Sequence, residues 1–330
     1  MLVYPDGRLT GTIGGGCLEA TVKRRALQCI YEARADMFSM NLDADVSDEG
    51  PICGGLATVY VDAQLNAHLP TISRLMDLIE RRLQGVFGIN IRKAGGRIEA
   101  TWFVIALATQ SSRVEEWCVH SDDEDARAYV HHAMLTQKEF ENAIRKTLLS
   151  ERADAHELRL NENVLTTVYL EPLKPAPILL IAGAGHVGAA VAHMGAMVGF
   201  EVVVVDDRPS FANRQRLPFA NRIIVDNIPH AIKNFPINAD TYIVIVTRGH
   251  AYDAETLRAC INSPAKYIGM IGSRRKVKQI FDALLKDGIA TAERLAQVHA
   301  PIGLDIGSVT PEEIAVSIIA ELIAVRRRKM

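Results

Sequence analysis

The 330-residue chain has no excess of charge of either sign: 37 lysines and arginines against 39 aspartates and glutamates leave a formal net charge of −2. A near-neutral balance gives no broad electrostatic pull toward nucleic acid or anionic membrane. The sequence contains no apolar run long enough to span a bilayer and no basic-then-apolar leader. Its five cysteines, at 17, 29, 53, 118 and 260, are odd in number, scattered, and never spaced as C-x-x-C. Without a signal peptide they read as reduced thiols. These absences predict a cytoplasmic protein with neither nucleic-acid nor membrane partners. Internal repeats and low-complexity tracts are missing too.

An apolar content of 48% with 23% charge is that of a globular chain, and the length suits two domains of roughly 100–200 residues each. In the first part, Leu18, Val22, Ala26 and Ile30 recur every fourth residue, the stripe of an amphipathic helix. Strands are expected at 37–42, 56–62, 88–92, 100–107 and 164–170, with helices near 75–83 and up to about 149. Pro172, Pro175 and Pro177 disfavour helix and make a stiff connector. We therefore place one domain over 1–172, a linker over 173–177 and a second domain over 178–330.

Beyond the linker, apolar runs at 178–182, 201–206, 221–226, 241–247 and 266–271 alternate with helical or loop segments. Continuous Val/Ile runs without polar alternation are what a parallel sheet covered on both faces requires. The fold class expected is α/β, a Rossmann-type parallel sheet with helices on both faces, preceded by a smaller α/β domain. Directly after the first run stands Gly183-Ala184-Gly185-His186-Val187-Gly188, a G-x-G-x-x-G turn. Gly183 permits a tight turn, Gly185 lets backbone approach a phosphate, and Gly188 allows close helix–strand packing. The opening helix turns its N–H groups and dipole toward an anion.

Asp206, at the end of the next run, is placed to accept from a ribose diol, with Asp207 beside it and Arg208 available to a phosphate instead. Two further strand ends carry polar groups: Thr247-Arg248-Gly249-His250 and Gly272-Ser273-Arg274-Arg275-Lys276. His250 suits acid–base work or metal ligation with Asp253 orienting it, or else a loop position at a helix start. Ser273, Arg274 and Arg275 at a helix start favour an oxyanion, since cations there oppose the dipole. In the first domain, Gly15, Gly16 and Cys17 lie at a helix start, which lowers a thiol pKa, and Cys53, Gly54 and Gly55 form a second Cys-Gly loop. Small buried residues at tight turns would show the same pattern, and a two-thiolate metal site would need ligands that spacing does not identify.

Taken together these motifs resemble the xanthine dehydrogenase accessory protein family (XdhC/CoxI). The resemblance rests on Gly11-Thr12-Ile13-Gly14-Gly15-Gly16-Cys17-Leu18-Glu19, Cys53-Gly54-Gly55, the turn 183–188, Thr247-Arg248-Gly249-His250, 269–276, Pro301-Ile302-Gly303-Leu304-Asp305-Ile306 and Thr310-Pro311-Glu312-Glu313. It implies a protein that binds molybdenum cofactor (molybdopterin), supports its sulfuration through a cysteine desulfurase, and delivers it to an apo molybdenum hydroxylase of the xanthine dehydrogenase kind. By that analogy Cys17, Cys53 and their glycines are candidate cofactor contacts. The groups at 183–188, His186 included, with His250 and Ser273–Arg275, would hold a pterin phosphate or a nucleotide. Family members usually carry a further helix and strand before the segment matching Met1-Leu2-Val3, so the first sheet is expected to leave an edge that a second copy of the chain would cover in a homo-oligomer. An NAD(P)-dependent oxidoreductase, with Asp206 on the ribose and His250 as acid–base, and a nucleotide-sensing module are the alternative readings.

Overall fold

The computed structural model describes residues 1–14, 16–41, 55–107, 117–120, 138–150, 152–161 and 164–327. It divides into two units, Met1–Pro175 and Ala176–Met330, of which the first is the longer, not the smaller domain expected before the Rossmann-type sheet. None of its described helices is long and apolar enough to cross a membrane.

In the first unit, β1 (Leu2–Val3) and β2 (Leu9–Thr10) form a short antiparallel pair ahead of α1 (Gly16–Glu32). Helix α1 buries Val22 and Ala26 from the predicted stripe, and Cys29 with them. Next come β3 (Ala35–Asn41) and β4 (Leu56–Asp62), paired antiparallel with Ala35 opposite Asp62. Helix α2 (Leu69–Glu80) begins six residues earlier than its apolar pattern suggests, because Pro70 at the first turn starts a helix as readily as it ends one.

The remaining strands are β5 (Gly85–Ala94), β6 (Arg97–Leu107), β7 (Trp117–His120), β8 (Asp154–Asn161) and β9 (Val164–Leu173), with α3 (Lys138–Ser150) between β7 and β8. They form an antiparallel sheet in the order β7-β6-β5-β9-β8. Gly95 and Gly96 both have positive φ, as a two-residue hairpin joining β5 to β6 demands. The sheet has helices on both faces, and alternate residues serve each. Val86, Phe103, Ile105, Val168 and Leu170 pack on Phe140 and Ile144 of α3, while Val104 and Ala106 meet Leu78 of α2. Strand β9 runs through Pro172, which lies opposite Val86. Pro172 is thus part of the sheet, not of the stiff connector expected from the three prolines.

The second unit opens with β10 (Ile178–Ala182), followed by α4 (His186–Met197), β11 (Glu201–Asp206), β12 (Arg222–Val225), α5 (Ile228–Asn234), β13 (Thr241–Ile245), α6 (His250–Cys260), β14 (Tyr267–Met270), α7 (Arg274–Lys286), α8 (Ala292–Leu295) and α9 (Pro311–Arg327). All five strands are parallel, in the order β12-β11-β10-β13-β14. This is the doubly wound order 3-2-1-4-5. One isolated parallel bridge, Gly269 to His299, extends the sheet at the β14 edge. Every residue of β10 and β13 is buried, and alternate side chains feed two cores. Ile178, Leu180 and Ala182 face one, Leu179 and Ile181 the other. The unbroken apolar runs follow from this two-sided burial, and the expected Rossmann architecture is the one observed.

Candidate functional site

In an open parallel sheet of this kind the strand order reverses at the first strand, with successive strands added to one side of it and then to the other, and ligands bind beyond the carboxyl ends there. Here that place is the end of β10, where the turn 183–188 sits between β11 and β13. Gly183 has φ +114°, donates its N–H to Val205 O at 2.8 Å, and would place a Cβ 2.5 Å from Val246 O. A Cβ on Gly188 would lie 1.9 Å from Gly183 O. Gly185 differs: it is the extended residue before α4, and a Cβ there would meet nothing within 4 Å. Two of the three glycines are therefore required by protein packing, and the third borders open space at a helix N-terminus. His186 is exposed at the start of α4 and lines a cavity of about 410 Å³ with His193, Arg216, Phe219 and Glu312.

Asp206 is 1% exposed and fully engaged by the protein. Its Oδ2 accepts from Ala184 N–H at 2.7 Å and Arg208 Nη2 at 2.8 Å; its Oδ1 accepts from Arg208 N–H at 3.0 Å and Nε at 2.8 Å. Burial alone would raise its pKa, but the Arg208 guanidinium and the Ala184 amide outweigh it and hold the carboxyl below the ordinary value. Arg208 is raised in turn by that pairing, and its guanidinium lies over the Phe211 ring at 3.9 Å. The acid expected to bind a ribose thus fastens the glycine turn to Arg208, and Arg208 is paired with it.

At the β13 end, the buried Asp253 receives the Thr247 hydroxyl at 2.5 Å and the Thr247 N–H at 3.2 Å on Oδ1, and the Lys276 ammonium on Oδ2. Asp253 therefore ties the β13 loop to α7. His250 is the first residue of α6, and its side chain lies outside the described residues. Ser273 caps α7, accepting from Lys276 N–H at 3.3 Å, while Arg274 and Arg275 are exposed in its first turn. We expect Ser273→Ala to cost about 1 kcal/mol of stability, as loss of an N-cap does. A calorimetric midpoint distinguishes that small effect from any effect on binding.

Sequence reasoning missed a cluster built on Glu321 of α9. Its carboxylate accepts from Tyr267 OH at 2.5 Å and Gly303 N–H at 2.9 Å, and lies 2.9 Å from His299 Nδ1. Burial pushes Glu321 up, but these three partners, His299 foremost, hold it lower than usual. The cluster fixes the segment 299–303 along the β14 edge. The strand end and helix residue meet only through the fold, across 54 positions, and nothing local in the sequence marks the pair.

In the first unit, Cys17 is the second residue of α1. Gly15, Cys53 and Gly54 lie outside the described residues, as does the side chain of Cys17; Gly16 opens α1, and Gly55 is described and has φ +130°. Glu19 has a task beyond favouring the helix dipole: it accepts from the Thr12 hydroxyl and from Ile13 N–H at 3.4 Å, tying Thr12 and Ile13 to the first turn of α1. Cys29 and Cys260 are fully buried, and burial raises both thiols, Cys260 to about 12, so neither is a ready thiolate. Among the described residues no three His, Cys, Asp or Glu side chains converge on a metal position.

Residues 179–322 match the model of the XdhC Rossmann domain, and residues 1–41 match that of the XdhC and CoxI family. Over 151 residues the chain is 34% identical to Uncharacterized protein YqeB of Escherichia coli (strain K12), covering 46% of the chain and 27% of that protein. Over 163 residues it is 28% identical to a probable xanthine dehydrogenase subunit of Bacillus subtilis (strain 168), covering 49% of the chain and 47% of that protein. The chain thus spans less than half the length of these curated relatives. A crystal structure of a xanthine dehydrogenase from Bacillus halodurans shares the fold with a TM-score of 0.73 at 22% identity, over 98% of this chain and 85% of that one.

Proposed function

The chain belongs to the XdhC and CoxI family, and on that premise we propose that it is an accessory protein for a xanthine dehydrogenase-like molybdenum hydroxylase. In this reading it binds molybdenum cofactor, holds it during sulfuration by a cysteine desulfurase, and passes it to the apo-enzyme. The observation that carries the reading is the pair of family matches, one in each unit, joined by similarity to a relative named as a probable subunit of xanthine dehydrogenase.

Residues of the second unit support a phosphate-binding role. Gly185 presents unobstructed backbone at the start of a 12-residue helix, which suits the phosphate of a pterin. Arg274 and Arg275 have no ion-pair partner among the described residues and add cations beside the same sheet end. Cys17, in the first turn of α1, and Cys53 are the thiols assigned to contact the cofactor. The oxygen-transfer chemistry is that of the cofactor once it resides in its client; this chain binds, shields and releases.

Native purification of the full chain, with the desulfurase and a molybdopterin source present, tests the reading. Released pterin is oxidised and measured by its fluorescence. Retained pterin is the expected result, and Cys17→Ala or Cys53→Ala should lower its affinity about tenfold, equal to about 1.4 kcal/mol, while leaving the melting midpoint in place. A chain that retains no pterin under these conditions overturns the reading.

A further inference from the structure

The carboxyl end of β10 is spanned by side chains from the two strands that flank it. Asp207, one residue beyond β11, accepts from Arg248 Nη2 at 2.8 Å and from Tyr252 OH at 3.2 Å. Arg248 stands beyond β13, bonds Tyr252 OH at 3.3 Å, and lies over the Tyr252 ring at 5.0 Å. Strands β11 and β13 are not neighbours, since β10 lies between them. At the usual strand spacing they are about 10 Å apart. A link between their ends must therefore cross above Gly183 and Ala184.

Both roots of this link are fixed. On one side Asp206, next in the chain to Asp207, is held by Ala184 and Arg208. On the other Thr247, next to Arg248, is held by the buried Asp253, itself paired with Lys276. A dinucleotide in a doubly wound sheet runs across the switch point, with its pyrophosphate on the glycine turn and one nucleoside toward the acid that ends the second strand. That course lies along the line of the Asp207–Arg248 link. The acid at its far end, Asp206, has both oxygens occupied.

We propose that Arg248 and Asp207, braced by Tyr252, form a strap that bars an extended dinucleotide from the crevice while leaving the Gly185 side of the turn open. Arg248 is then a specificity-determining residue. This inference rests on reading the crevice as a ligand site and narrows what it takes: a phosphate monoester presented end-on, not a nicotinamide dinucleotide. The strap is partly exposed, with side-chain exposures of 43% for Arg248 and 23% for Asp207, so opening it carries a modest cost. A ligand that needs the open form binds more weakly in proportion to how rarely that form is populated.

The test is titration of the full chain with NADH, followed by nicotinamide fluorescence. Arg248→Ala and Asp207→Ala should each tighten NADH binding about tenfold over the unaltered chain, by removing the closed population. Arg248→Lys, which keeps the pair, should leave it weak. Unchanged or weaker binding in the two alanine variants overturns the strap, including the case where no form binds NADH. Tightening in Arg248→Ala alone also overturns it, since side-chain bulk and not the pair would be the barrier. Calorimetric midpoints confirm that each variant is folded. Pterin retention is measured separately, so a failed strap and a failed cofactor-carrier reading give different results.

Discussion

Alanine at Gly188 is expected to destabilise the second unit severely, while alanine at Gly185, three residues away, leaves it as stable as before. The new Cβ at 188 would lie 1.9 Å from the carbonyl oxygen of Gly183. That obstacle is backbone, and it belongs to a turn already fixed by the Gly183 N–H bond to Val205 and by Asp206 on Ala184. No rotamer change relieves it, so α4 or the turn must move. Overpacking costs typically about 1–3 kcal/mol, and a rigid backbone obstacle places this case at about 3 kcal/mol or more. With roughly 2–4 °C lost per kcal/mol in a unit of this size, the midpoint should fall by about 6–12 °C. Gly185 has φ −64° and ψ −172°, a conformation open to any residue, with nothing within 4 Å of the added carbon. Its alanine variant should melt with the unaltered chain and lose pterin affinity, because the methyl enters the space a phosphate would use. Scanning calorimetry and pterin retention on both variants separate the two roles. A Gly188→Ala protein melting at the original temperature would show that the turn yields, against the tight packing described.

The same contrast explains which parts of the molecule are legible in the sequence. Glycines and two-face burial leave local marks: Ile178–Ala182 and Thr241–Ile245 read as buried strands because every residue is covered. The first unit is less legible where exposure removes the mark. Strand β8, Asp-Ala-His-Glu-Leu-Arg-Leu-Asn, lies at a sheet edge with Asp154, Ala155 and Glu157 exposed, so no apolar alternation announces it. Leu83 prolonged the apparent helix because Arg82, at φ 56°, turns the chain back and sends Leu83 to the same core as Leu78. At the site, Asp206 is legible as an acid in the expected place, but its partner is not. Only in the folded chain is it plain that Arg208, two residues on, has taken both of its oxygens. The Asp207–Arg248 link joins residues 41 positions apart, whose long side chains meet only because the fold sets β11 and β13 on either side of β10.

Removing Asp206 is the second change with a large expected effect. Its carboxylate is 1% exposed and accepts four hydrogen bonds, three of them from Arg208. Asp206→Ala strands the guanidinium and leaves the buried Ala184 N–H without its acceptor. Breaking a buried pair by deleting one partner costs about 3–5 kcal/mol, and the 28% side-chain exposure of Arg208 places this case near the lower figure. Asp206→Asn keeps an acceptor for Ala184 and should lose less, about 1–2 kcal/mol. The pH dependence carries the sign of a depressed carboxyl: folded Asp206 binds its proton less readily than the unfolded chain does, so its contribution is complete above the unfolded value of about 3.9. It declines as the pH falls below that value and is gone once the pH has passed through the lowered folded pKa. Glu321 is also held low, so acid destabilisation of the unaltered chain includes both groups. Subtracting the Asp206→Asn curve isolates Asp206: the stability gap between the two proteins should be flat from neutrality to about pH 5 and narrow below about pH 4. A gap that instead stays constant through that acid range would mean that the Asp206–Arg208 pair contributes nothing as an ion pair, and that the glycine turn is held by the Ala184 hydrogen bond alone.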